Sequence, residues 1–214
     1  LAPSHIYKDN GNRVWIGTNA GEVYRLNTHR NKAQKILKAK GSQINSIYAD
    51  NENLWIGYEA HGAQQYTVNG DFIRQYVFPE TPNRKTKNIR IWDLLKDTYG
   101  RLWIGAYEGL FMDDGNKIVR FKKEKNPELP HTSIREIYED KQGGLWIGTW
   151  SGGVTLMHHS DNNFKTYRHL EFNNSLSNNV ISSFLQNEKN EILIGTEVGG
   201  LNKFDLNTEK FSVV

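Results

Sequence analysis

The sequence has no cysteine, two methionines, five prolines and no run of about 18 apolar residues. Without cysteine there is no disulfide, thiolate metal site, iron–sulfur cluster or cysteine nucleophile. The compartment stays open, because a well-packed secreted chain also folds without disulfides. The missing apolar run excludes a membrane-spanning helix and direct membrane insertion by this segment. An excess of one charge is missing too: 27 Lys+Arg stand against 24 Asp+Glu, a net charge of +3. That is far from the dense basic field needed to neutralise several phosphates, so nucleic acid is not an expected partner. The opening LAPSHIYKDN has neither an initiator methionine nor a basic-then-apolar leader, and the chain reads as a mature or excised piece of something longer.

What is present describes a soluble globular chain: 214 residues, 37% hydrophobic and 24% charged, with a mean hydropathy of −0.69. That length allows one or two domains and a core that needs no staple. The dominant feature is a repeat. VWIGT (Val14 to Thr18), LWIGY (Leu54 to Tyr58), LWIGA (Leu102 to Ala106), LWIGT (Leu145 to Thr149) and ILIGT (Ile192 to Thr196) are five copies of one motif. Anchored on Trp15, Trp55, Trp103, Trp146 and Leu193, they are spaced by 40, 48, 43 and 47 residues, a drift that belongs to loops between fixed units.

The flanks repeat as well. Apolar pairs precede the motif at Ile44/Ile47, Ile91/Leu94, Ile134/Ile137 and Ile181/Phe184, with Pro3/Ile6 as a degraded first copy. Three residues later stands Asp9, Asp50, Asp97, Asp140 or Asn187, followed by polar tetrapeptides such as NGNR and TYGR. An acid that caps a turn, then a residue tolerant of positive φ, marks a hairpin between two strands. Downstream, Gly21, Gly62, Gly109, Gly152/Gly153 and Gly199/Gly200 lead into alternating stretches such as EVYRLN and GLFMDD, and an aromatic-rich segment closes most copies. Each copy thus supplies four short strands.

Four-stranded antiparallel units at this period predict an all-β chain, a β-propeller of five blades over residues 1–40, 41–84, 85–129, 130–174 and 175–214. In a strand Leu54 and Ile56 face one side and Trp55 the other, so the motif must be covered on both faces. A tryptophan there buries roughly 150–250 Å², worth on the order of 4–6 kcal/mol, and its role is structural. Five such blades either close into a small ring or leave an open arc with two free sheet edges.

The run IREIYEDKQGGLWIGTWSGGV (Ile134 to Val154) closely resembles the two-component regulator propeller repeat. The resemblance extends over nearly the whole chain in five copies. It implies the periplasmic sensor region of a Bacteroides-type hybrid two-component histidine kinase, anchored in the inner membrane. Such sensors carry larger, seven-bladed propellers, a small β-sandwich, one transmembrane helix and cytoplasmic kinase modules, and detect breakdown products of complex polysaccharides to control their utilisation genes. The expected partners are then an oligosaccharide, the rest of the sensor chain and a second copy of the parent, and no cofactor is expected. This chain departs from the pattern in stopping at five repeats, with no sandwich, membrane helix or kinase motif.

No GxSxG, HExxH or P-loop is present, so no catalytic residue or metal ligand is assigned. Neighbouring His158 and His159 face opposite ways on a strand and cannot chelate one metal, and the recurrent acids at Asp9, Asp50, Asp97 and Asp140 read as turn caps. Trp92 and Trp150 break the repeat. They fall at the strand entry and at the turn after the second strand, positions that open on one face of the disc. The same rim is expected to hold Tyr58, His61, Arg84, Lys85, Lys87, Arg90, Tyr107, Glu108, Arg135 and Glu197. Aromatic rings stack on the apolar face of a pyranose while Arg and Glu bind hydroxyl, uronate or sulfate groups, so Arg90, Trp92, Tyr107, Arg135 and Trp150 are the candidate ligand-binding residues. A protein-contact rim, and a propeller enzyme such as a streptogramin-type lyase or glycanase, are the alternatives.

Overall fold

The computed structural model describes residues 2–27, 32–39, 42–79, 88–121, 129–158, 164–171 and 174–214, and among them there is no helix. Blade 1 consists of β1 (Pro3–Lys8), β2 (Val14–Thr18), β3 (Glu22–Asn27) and β4 (Lys32–Lys38). Blade 2 consists of β5 (Ile44–Ala49), β6 (Asn53–Tyr58), β7 (Ala63–Thr67) and β8 (Phe72–Gln75). Blade 3 follows with β9 (Ile91–Lys96), β10 (Leu102–Ala106), β11 (Gly109–Asp113) and β12 (Ile118–Phe121), and blade 4 with β13 (Ile134–Glu139), β14 (Leu145–Thr149), β15 (Val154–Met157) and β16 (Phe164–Tyr167). Blade 5 is β17 (Ile181–Gln186), β18 (Glu191–Thr196), β19 (Gly200–Asp205) and β20 (Lys210–Val213). Each blade is an antiparallel meander in chain order, the five-bladed all-β architecture that the repeat predicts. The junctions expected at 40/41 and 84/85 lie outside the described residues.

The core sits between blades rather than within them. Its hydrophobic clusters each draw on two neighbouring blades: Trp15, Val23, Ile44 and Ile47 on blades 1 and 2, Trp55, Ile91, Leu94 and Phe111 on blades 2 and 3. The two further clusters join blades 3 and 4 around Trp103, and blades 4 and 5 around Trp146. Each seam is a peg in a notch. The motif glycine of one blade faces the paired apolar residues of the next: Gly17 meets Ile44 and Ile47, Gly57 meets Ile91 and Leu94, Gly105 meets Ile134 and Ile137, and Gly148 meets Ile181 and Phe184. A β-carbon on Gly57 would stand 2.5 Å from Ile91 Cγ2, so glycine is what allows the blades to approach.

The two end faces lack this arrangement. Ile6, the peg of blade 1, is 65% exposed, whereas Ile47 is 1% exposed. The nearest atoms to a β-carbon on Gly195 belong to Ser182 and Ser183 of the same blade.

The hairpin acids do more than cap. Asp97 Oδ1 accepts the N–H groups of Tyr99 and Arg101, while Oδ2 accepts Arg101 Nε at 2.7 Å and the Trp103 indole N–H at 2.8 Å. Asp9 holds Trp15 at 2.9 Å and Asp140 holds Trp146 at 2.7 Å in the same way. Blade 2 differs: Trp55 donates to the Tyr76 hydroxyl, and Asp50 pairs with Lys96. In the hairpin of blade 1 the left-handed residue is Asn12 (φ 60°), at the place where blades 3 and 4 have Gly100 and Gly143.

Candidate functional site

One residue of each innermost strand is bulged. The register skips from Pro3 to His5, Ile44 to Ser46, Ile91 to Asp93, Ile134 to Glu136 and Ile181 to Ser183, so Ser4, Asn45, Trp92, Arg135 and Ser182 are the extra residues. A bulge re-aims its side chain out of the ladder, and here it aims at the following blade. Ser4 Oγ donates to the Ile44 carbonyl and Asn45 Nδ2 to the Ile91 carbonyl. Trp92 stacks on Trp150 of blade 4, and Arg135 pairs with Glu197 of blade 5. The receiving positions are also periodic: Asn19, Glu59, Tyr107, Trp150 and Glu197 each follow the repeat motif. Each donates its backbone N–H to a carbonyl just ahead of the innermost strand, at 2.9–3.1 Å. The repeated frame therefore holds two sets of five equivalent positions whose side chains vary from blade to blade.

In blades 3 and 4 these positions form a platform. The Trp92 and Trp150 rings are stacked with centroids 6.2 Å apart and planes 26° apart. The Arg135 guanidinium lies 4.6 Å from the Trp150 centroid and 5.2 Å from that of Trp92, and that of Arg90 lies 5.3 Å from Trp92. Each guanidinium has its own carboxylate: Arg135 Nη1 to Glu197 Oε1 at 2.8 Å and Arg90 Nη2 to Glu59 Oε1 at 2.5 Å. Glu59 Oε2 also accepts Asn45 Nδ2. Trp150 is 44% exposed, and the Trp92 indole N–H is buried with no acceptor among the described residues. Exposed Tyr107 is tied to the group through its backbone N–H on the Arg90 carbonyl. A hollow of about 300 Å³ between blades 1 and 2, walled by Tyr58, His61 and Tyr66 among others, includes none of these residues.

Four of the five sequence-predicted site residues thus meet by their side chains, and the fifth joins through its backbone. Tyr58 does not belong to the rim: as the last residue of β6 it is fully buried in the seam between blades 1 and 2. Arg84, Lys85 and Lys87 lie outside the described residues, as does His159, while His158 is exposed. Sequence reasoning missed Glu59 and Asn45. Aligning the residue after each five-residue motif and the residue after the first apolar peg would have found both.

Directly beside Trp92, Asp93 ties three blades together. Its Oδ1 accepts Ser46 Oγ of blade 2 at 3.0 Å and the Leu94 N–H, and its Oδ2 accepts the Ile137 N–H of blade 4 at 2.8 Å. Glu136 is its neighbour across that seam. Burial raises both carboxyls above the usual range, and the Asp93 charge raises Glu136 further. A group whose pKa is higher folded than unfolded stabilises the fold at acidic pH, and that contribution fades as pH rises through its folded value. Glu136→Gln is therefore expected to be more stable than the parent at pH 8, by about 3 °C or more in Tm, the shift of about 1 kcal/mol in a domain of this size. The gain should shrink towards pH 4.5, and thermal melts across that range check it. An equal shift at both ends would mean that folding does not raise the Glu136 carboxyl.

The fold and the repeated seam define a β-propeller arrangement of five repeated blades. Residues 86–108 and 128–151 match the two-component regulator propeller family. It is similar to the extracellular domain of a hybrid two-component system from B. thetaiotaomicron, with 22% identity and a TM-score of 0.77 over 99% of this chain and 30% of that one. A second such domain from B. thetaiotaomicron matches at 19% identity and a TM-score of 0.55, over 99% of this chain and 35% of its own. Virginiamycin B lyase from Staphylococcus aureus shares the fold at 14% identity and a TM-score of 0.75, over 99% of this chain and 69% of the lyase. No curated protein matches in sequence. The chain spans about a third of the length of the two B. thetaiotaomicron domains.

Proposed function

We propose that this chain is part of the extracytoplasmic sensor propeller of a hybrid two-component histidine kinase, and that its Trp92–Trp150 platform takes an oligosaccharide derived from a polysaccharide. The regulator-type repeats and the likeness to extracellular domains of two-component systems support the sensor reading. The uncovered Ile6 and Gly195 faces suit further blades of a larger propeller. In this reading the parent sits in the periplasm on an inner-membrane anchor, pairs with a second copy of itself and controls the genes for using the glycan. Among the described residues no helix is long and apolar enough to cross a membrane.

The observation that carries the ligand reading is the tryptophan pair. At the bulge position blades 1, 2 and 5 have Ser4, Asn45 and Ser182, so the frame asks for no aromatic ring there. One ring 44% exposed and stacked on a second, partly buried one, rimmed by groups that both donate and accept hydrogen bonds, suits a pyranose face and its hydroxyls. The segment is read as non-catalytic, since the carboxylates beside the rings, Glu59 and Glu197, are each held by a guanidinium. Trp150→Ala is expected to fold normally and to lose roughly 1–3 kcal/mol of oligosaccharide affinity, the loss of one stacking anchor. Titration calorimetry on the complete sensor region checks this. Unchanged affinity in both Trp92→Ala and Trp150→Ala would make this segment scaffold.

A further inference from the structure

We infer that the platform selects uncharged sugars over uronates and sulfated sugars, an inference that rests on reading it as an oligosaccharide site. From the side-chain types alone, Arg90 and Arg135 invite an anion. Their geometry argues otherwise.

Both guanidinium groups are already neutralised. Arg135 lies close to both indole rings with Glu197 on Nη1, and its side chain is only 20% exposed. Arg90 lies over Trp92 with Glu59 on Nη2. Across the platform two cations face two anions, so the net field is near zero. The next ionisable group on the rim, Glu108, is another carboxyl, raised by its burial. Among the described residues, no unpaired cation of the platform is left to attract a ligand charge.

A carboxylate or sulfate arriving at either arginine would replace one anion by another. The displaced Glu59 or Glu197 would lose its partner and stand beside a like charge, which cancels the gain. A neutral sugar avoids this exchange. Its hydroxyls can donate to the free lone pairs of Glu59 and Glu197 and accept from the guanidinium N–H groups not engaged by the carboxylates, while its apolar face covers an indole. The ion pairs thus do two things: they fix the arginines against the rings and screen their charge. The Asn45 bond to Glu59 holds one of these carboxylates in place through Oε2, the oxygen that does not pair with Arg90.

The test uses matched neutral and acidic oligosaccharides of equal length, such as gluco- and galacto-oligosaccharides against oligoglucuronates and oligogalacturonates. They are titrated at low ionic strength into the complete sensor region, its Trp150→Ala variant and its Glu197→Gln variant. The parent is expected to bind a neutral series at least about tenfold more tightly than its acidic counterpart. Glu197→Gln unpairs Arg135 and should move that ratio about tenfold towards the acidic series. An acidic preference in the parent that Trp150→Ala abolishes would overturn the charge inference and leave the platform standing. An unmoved ratio in Glu197→Gln would also overturn it. Binding of no series, or binding indifferent to Trp150→Ala, would defeat the platform and the inference together.

Discussion

Trp103→Ala is expected to destabilise the protein by about 3–5 kcal/mol, most of the stability of an ordinary domain. The indole is 1% exposed and lies in the seam between blades 3 and 4 with Leu110, Ile137 and Ile147, so its removal opens a cavity that two sheets must close by moving together. It also leaves Asp97, 5% exposed, without one of its donors. That acid still has Arg101 and two backbone N–H groups, so the lost packing dominates over the lost hydrogen bond. Denaturant unfolding checks the figure. Trp103→Phe should recover part of the loss by refilling the seam without restoring the bond to Asp97, and a cost below about 1 kcal/mol for the alanine variant would mean that the seams do not hold the fold.

Gly57→Val is expected to cost about 1–3 kcal/mol or more by overpacking. The new β-carbon would lie 2.5 Å from Ile91 Cγ2 and 3.0 Å from Ile91 Cβ, and Ile91 is itself fully buried on the innermost strand of the next blade. Nothing at the end of a flexible chain can swing aside, so the blades must separate. Gly195→Val supplies the contrast within one protein. Its near neighbours are the serine side chains of its own blade, and the expected loss is smaller. Equal Tm shifts in the two variants would contradict the peg-and-notch account of the seams.

The blades were legible because repetition separates what the frame requires from what it tolerates. The alternation in LWIG gives a strand buried on both faces, and the acid three residues beyond the apolar peg gives the hairpin. The bond from that acid to the indole left a trace as well. Blade 5 loses both members at once, with Asn187 for the acid and Leu193 for the tryptophan. Blade 2 keeps Asp50 and Trp55 yet gives each another partner, Lys96 and Tyr76, so one sequence pattern has two structural outcomes.

The motif glycine was harder to read, because its reason lies 2.5–3.0 Å away on the next blade, more than 25 residues along the chain at every seam. At the site, departure from the repeat singled out Trp92 and Trp150. Their stacking across a seam was not legible, since it depends on a bulge that shifts the side chain out of strand alternation. Glu59 was missed because an isolated glutamate after a strand looks like any solvated loop residue. Tyr58 was misplaced for the opposite reason: it ends a strand next to the rim, but the alternation of β6 turns its ring into the seam.

We propose that the protein uses its tryptophans in two ways, four to pack blades and two to meet a ligand. The most direct measurement follows the six indole N–H signals in a two-dimensional nitrogen–proton spectrum while the tightest-binding oligosaccharide is added. Saturable shifts are expected for Trp92 and Trp150, with Trp15, Trp55, Trp103 and Trp146 staying in place. Shifts confined to the four packing tryptophans, or none in any of the six under saturating ligand, would contradict it.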